Sequence, residues 1–87
     1  MQIYKNMEEK IFKTSDFYTA AFLLSQGFKL ITLNRENPHR VFFVFEDKAG
    51  REKLIEDFFH SEVVIEPRKF ITAIKELKSL IYSDALR

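Results

Sequence analysis

The chain has no cysteine, no tryptophan, two glycines and two prolines in 87 residues. Without cysteine there is no disulfide framework, no thiol nucleophile and no Cys-based zinc site. Few glycines and prolines mean few forced breaks, so most of the chain is free to form regular elements. No apolar run approaches the ~20 residues of a membrane helix. The longest apolar-rich stretch, Phe17 to Leu24, is under half of that and contains Thr19. The N-terminus, Met-Gln-Ile-Tyr-Lys-Asn-Met-Glu-Glu-Lys, lacks the apolar core of a signal peptide. The expectation is a cytoplasmic protein without a membrane partner. Neither charge sign dominates, since the net charge is +1.

Phenylalanine is abundant: there are ten, and 46% of the residues are hydrophobic. A chain of this length makes one domain that buries about 60–65% of its unfolded surface. Residues 1–9 are polar and expected to be loosely held, leaving 10–87 as a single domain. The densest apolar block is Arg40-Val41-Phe42-Phe43-Val44-Phe45-Glu46-Asp47. A strand with one wet face alternates apolar and polar residues; this one is apolar on both. Both faces therefore call for cover, either by helices on each side of the sheet or by another chain.

Charge is segregated along the chain. Residues 1–40 carry six basic and four acidic side chains, residues 41–66 three and seven, and residues 67–87 five and two. An acidic middle and a basic C-terminal segment suit two neighbouring helices that neutralise each other, or a binding face. The first arrangement is the commoner.

Lys10-Ile11-Phe12-Lys13 reads as a short strand. Thr14-Ser15-Asp16 supplies a helix start, with a hydroxyl to cap the orphan amides and an acid in the first turn, favoured by the helix dipole. The first helix is expected from about Asp16 to Gln26, with Gly27 ending it. It is apolar nearly all round, so it is buried on more than one side. Phe28–Arg35 and Arg40–Asp47 form a hairpin around Glu36-Asn37-Pro38-His39. A second helix spans about Ala49 to His60, with Asp47 as its cap and an acidic outer face. Val63-Val64-Ile65 is extended and fits an added edge strand. Pro67 suits the first position of a third helix running to about Tyr82. The predicted fold is α+β: a small, mostly antiparallel sheet around a central hairpin, packed with three helices in the order β-α-β-β-α-(β)-α.

The segments Phe12-Lys13-Thr14-Ser15-Asp16-Phe17-Tyr18, Ala20-Ala21-Phe22-Leu23-Leu24, Gly27-Phe28-Lys29-Leu30, Arg40 to Asp47 and Pro67-Arg68-Lys69-Phe70 resemble a family of small bacterial and phage-encoded domains of unknown function. The resemblance covers about residues 11–82 and rests on core and cap positions. It implies a fold and a small prokaryotic protein, and it transfers no catalytic residue.

The standard parts of an enzyme are missing. His39 and His60 are the only histidines, one in a turn and one at a helix end. There is no Gly-rich phosphate loop, no His-Glu-x-x-His and no Gly-x-Ser-x-Gly. His60-Ser61-Glu62 offers too few ligands for a metal. The expectation is a non-enzymatic module with no cofactor, no metal and no small-molecule substrate. Its first-ranked partner is another protein or a second copy, since the two-sided strand and the apolar first helix need cover. DNA or RNA ranks second. Arg35, His39 and Arg40 make a basic hairpin tip, and Arg68 and Lys75 lie two turns apart on the last helix, both suited to phosphate contact. Glu36 and Glu76 interrupt these patches.

Overall fold

The structure, a computed structural model, describes residues 10–85. The described residues form six elements: β1 (Ile11–Thr14), α1 (Phe17–Ser25), β2 (Leu30–Asn34), β3 (Phe42–Glu46), α2 (Arg51–Phe59) and α3 (Pro67–Ala85). The three strands make one antiparallel sheet in the order β1-β3-β2, an α+β fold. The expectation of a loosely held segment at 1–9 lies outside the described residues.

Local chemistry sets the boundaries of α1. Asp16 is extended, and its carboxylate accepts from the Thr19 amide at 2.9 Å and from the Thr19 hydroxyl, so Asp16 is the cap and not a first-turn acid; the Thr14 hydroxyl, expected as a cap, instead accepts from the Asp16 amide at 3.1 Å. At the other end the Phe28 amide donates to the Leu23 carbonyl at 3.0 Å, and the Gly27 amide to the Leu24 carbonyl at 3.1 Å. This double bond is the Schellman closure, which needs a left-handed residue between, and Gly27 supplies it at φ +91°. Phe28 and Leu23 are both buried beside it. Pro67 opens α3 as expected. Glu66 caps it, its carboxylate accepting from the Arg68 and Lys69 amides at 3.2 and 3.0 Å.

The start of α2 and the segment before α3 differ from expectation. Asp47 does not cap α2. The helix starts two residues later than expected, and Gly50, at φ +91°, holds the cap position without a side-chain bond. Asp47 instead accepts from the Lys48 amide and pairs with Arg51. Val63-Val64-Ile65 forms no strand. The central strand β3 already has a neighbour on each side, so this segment would have to add to an outer edge. It runs instead as an extended link to α3 with Val64 98% exposed.

The core is one cluster. Ala20, Ala21, Phe22 and Leu23 of α1, Phe43 and Phe45 of β3, and Ala73 and Leu77 of α3 are buried together with Phe28. Leu54, Ile55 and Phe58 of α2 pack against the same cluster, with the Phe58 ring stacked on Phe22 at 4.5 Å. All three helices thus lie over one face of the sheet. The arrangement with helices on both faces is not adopted. Val44 and Phe42 point the other way, outside the cluster, and Val44 is nevertheless buried.

β2 solves a register problem. Leu30 pairs with Phe45 and Leu33 with Phe43, and both leucines pack on the core. Residues three apart in a regular strand face opposite ways. A bulge between Leu30 and Thr32 admits Ile31 as an extra residue, and both leucines then turn inward.

Candidate functional site

The cap at Asp16 fixes where α1 begins, and so places Phe17 and Tyr18 in its first turn. Phe17 is half-buried, edge-on to Phe43 at 6.1 Å and to Tyr18 at 5.3 Å. α1 packs along α3. Near the C-terminal end of α3, Lys78, Ile81 and Tyr82 face Phe17 and Tyr18 across an open cleft of about 280 Å³. Tyr18 is 57% and Tyr82 65% exposed. The cleft therefore has an apolar floor, two tyrosines in contact with water and one lysine. A rigid aromatic with a polar tip suits a protein interface.

The residues expected at a nucleic-acid surface are dispersed. Arg35 donates to the Ile81 carbonyl at 2.8 Å, which ties the base of the hairpin tip to α3. His39 and Arg40 are exposed on the tip. That tip is shaped by two side-chain turns: Asn34 accepts from the Glu36 amide at 2.9 Å, and Asn37 from the His39 amide at 2.7 Å. Arg68 and Lys75 are exposed on α3, seven residues apart and so on one face, about 10 Å along the axis. Arg68 is thirteen residues before Ile81, about 20 Å from the level at which Arg35 bonds. The structure brings Arg68 and Lys75 onto a common face and leaves the tip at the other end of the helix.

Electrostatics within 47–57 is local. Arg51 bonds both Asp47 oxygens, at 3.1 and 3.2 Å, and its guanidinium lies 4.0 Å over the Phe12 ring. The Arg51 hydrogen bonds hold the Asp47 carboxyl below its ordinary pKa; burial opposes them in part, and the Lys48 amide and the Arg51 charge assist. Lys53 pairs with Asp57 one turn on, at 2.8 Å. Among the described residues, no ion pair links α2 to α3. His60 ends α2 and is exposed. Among the described residues, no three His, Asp or Glu side chains converge as metal ligands. No helix there is long and apolar enough to cross a membrane.

Sequence reasoning missed the cleft. Its two walls come from opposite ends of the chain, and only the exposed tyrosines, on helices otherwise explained as core, hinted at it.

A three-helix layer over one face of a small antiparallel sheet, with an aromatic cleft between two of the helices, describes the class of protein. The chain belongs to the family described as a domain of unknown function (DUF5659), whose model matches residues 9–83. Neither the comparison with curated proteins nor that with solved structures returned a match.

Proposed function

We propose that this is a small non-enzymatic binding module of bacterial or phage origin that acts in the cytoplasm by association with a protein, either a partner or itself. The observation that carries this reading is the cleft of Phe17, Tyr18, Lys78, Ile81 and Tyr82. Apolar residues scattered singly over a surface need no explanation, but a contiguous apolar depression bounded by exposed tyrosines is what association surfaces are made of. Tyr82→Asp tests it, because the residue is exposed and lies outside the core cluster. Sedimentation of the wild type, alone and with proteins from its host, is expected to show a complex that Tyr82→Asp removes. Complexes indifferent to that change, or none, overturn the reading.

A second reading is a nucleic-acid accessory protein using Arg35, His39, Arg40, Arg68 and Lys75. It is favoured by one observation: Arg68, Lys69, Lys75 and Lys78 form no ion pair among the described residues. Fluorescence anisotropy with mixed DNA and RNA at two salt concentrations decides it. Phosphate contact predicts micromolar or tighter binding that falls steeply with salt; no binding at low salt removes it.

A further inference from the structure

Two exposed helix faces match in length and are opposite in charge. On α2, Glu52, Glu56 and Phe59 recur at i, i+4 and i+7, one stripe of the helix. All three are exposed, Phe59 by 64%. On α3, Lys75, Lys78 and Tyr82 recur at i, i+3 and i+7, and all three are exposed. Each stripe spans about 10.5 Å along its axis. Laid side by side in parallel, Glu52 comes level with Lys75, Glu56 falls within about 1.5 Å of Lys78, and Phe59 comes level with Tyr82. Tyr82 is a wall of the 280 Å³ cleft, whose apolar floor is open to a ring of that size. None of the four charged side chains forms an ion pair among the described residues, although Glu56 feels the charge of Lys53 on its own helix.

We infer that the cleft's occupant is a second copy of this chain: α2 of one protomer lies along α3 of the other, with Glu52 and Glu56 against Lys75 and Lys78 and Phe59 in the cleft. This rests on the association reading above and names its partner. The charge complementarity is within one sequence, so a second copy supplies the acidic stripe and the apolar tip together. A polyanion would meet the lysines and leave Phe59 and the cleft unused. Two-fold symmetry uses the contact twice, the commonest way for identical chains to close.

The test is a charge swap on the full chain, read by sedimentation velocity over a concentration series, with circular dichroism confirming the fold. Wild type is expected to dimerise, less so at high salt. Glu52→Lys with Glu56→Lys, and separately Lys75→Glu with Lys78→Glu, are each expected to weaken the dimer about tenfold or more, because attraction becomes repulsion at every contact. An equimolar mixture of the two variants restores opposite charge at both contacts, and recovery to within about threefold of wild type is expected. If a lysine at position 52 disturbs the first turn of α2, Glu52→Gln with Glu56→Gln replaces that variant and is expected to abolish the salt dependence. A wild-type dimer that survives both reversals, or a mixture that fails to recover, overturns the pairing and leaves association standing. A wild type that stays monomeric to about 1 mM overturns self-association; the Tyr82→Asp experiment with other proteins then decides the broader reading. Loss of oligonucleotide binding in the lysine variant, with no change in assembly, also overturns the pairing.

Discussion

Phe43 and Phe45 on one face of β3 are buried under all three helices, whereas Phe42 and Val44 on the other face lie outside the core cluster that the helices build. The two faces are alike in composition and differ in what covers them. Val44 is shielded from the sides. Lys13 stands directly opposite on β1 and Thr32 on β2, and cross-strand neighbours at that spacing touch. The aliphatic stem of a lysine covers apolar surface while its charge stays in water. A strand apolar on both faces therefore does not require a layer of helices on each; in a sheet this narrow, neighbours within the sheet do part of the work.

The difference is sharpest in the cost of truncation. Phe45 is fully buried among residues of the core cluster, so Phe45→Ala is expected to lose about 3–5 kcal/mol, transfer and cavity together. Phe42 is half-buried and borders an open depression with Lys13, Asn34, Glu36 and Asn37. Phe42→Ala is expected to cost about 1–2 kcal/mol, since water already reaches much of the ring. Urea denaturation of the two variants checks the contrast. Equal losses would break it, and would mean that something else covers the outer face in solution.

The inner face is closed at its β1 edge by a cation rather than an apolar group. Arg51 lies over Phe12, and Asp47 orients it through two hydrogen bonds. Asp47→Asn is expected to cost about 1–2 kcal/mol by removing a charge-assisted pair. The pH dependence follows from the direction of the shift. The folded-state pKa of Asp47 is depressed, so its stabilisation is complete above the ordinary aspartate pKa and is lost as pH falls through the depressed value. Wild type is expected to lose stability relative to Asp47→Asn on acidification below about pH 4, with the two converging at the acid end. A constant gap between their melting temperatures from pH 7 to pH 3 would show that the pair contributes by shape alone.

What was legible in the sequence was local. The helix start at Thr14-Ser15-Asp16, the Gly27 closure, the Pro67 start and the hairpin each depend on a few adjacent residues, and the structure has them all, although the Asp16 carboxylate and not a hydroxyl is the cap. Most of what was not legible depended on residues far apart. Periodicity reported that β3 is apolar on both faces, but whether helices lie on one side or two is decided by the path of the chain. Asp47 looked like a cap because short acids favour that position; its partner Arg51, four residues on, claimed it instead. Glu66 caps α3 although glutamate is an uncommon cap. The cleft joins Tyr18 to Tyr82, which no local pattern relates. The bulge was hidden because Leu30-Ile31-Thr32-Leu33-Asn34 reads as an ordinary apolar strand, and only pairing with β3 shows one residue too many.

That bulge gives the smallest expected effect and the finest test of the two-faced sheet. Deleting Ile31 leaves Leu-Thr-Leu-Asn, which alternates regularly. Leu30 would still meet Phe45 and Leu33 would still meet Phe43, both inward, while Thr32 would still meet Val44 outward. Nothing upstream of Leu30 has to move, and the residue removed is 49% exposed. The deletion is therefore expected to change stability by less than about 1 kcal/mol, where an unpaired one-residue slip would turn every later side chain to the wrong face. Thermal melts of the deletion variant measure this directly. A loss comparable to that of Phe45→Ala would mean that the bulge sets the twist on which the helical layer sits. A near-neutral result would place Ile31 with the outer face, as a residue the core does not use.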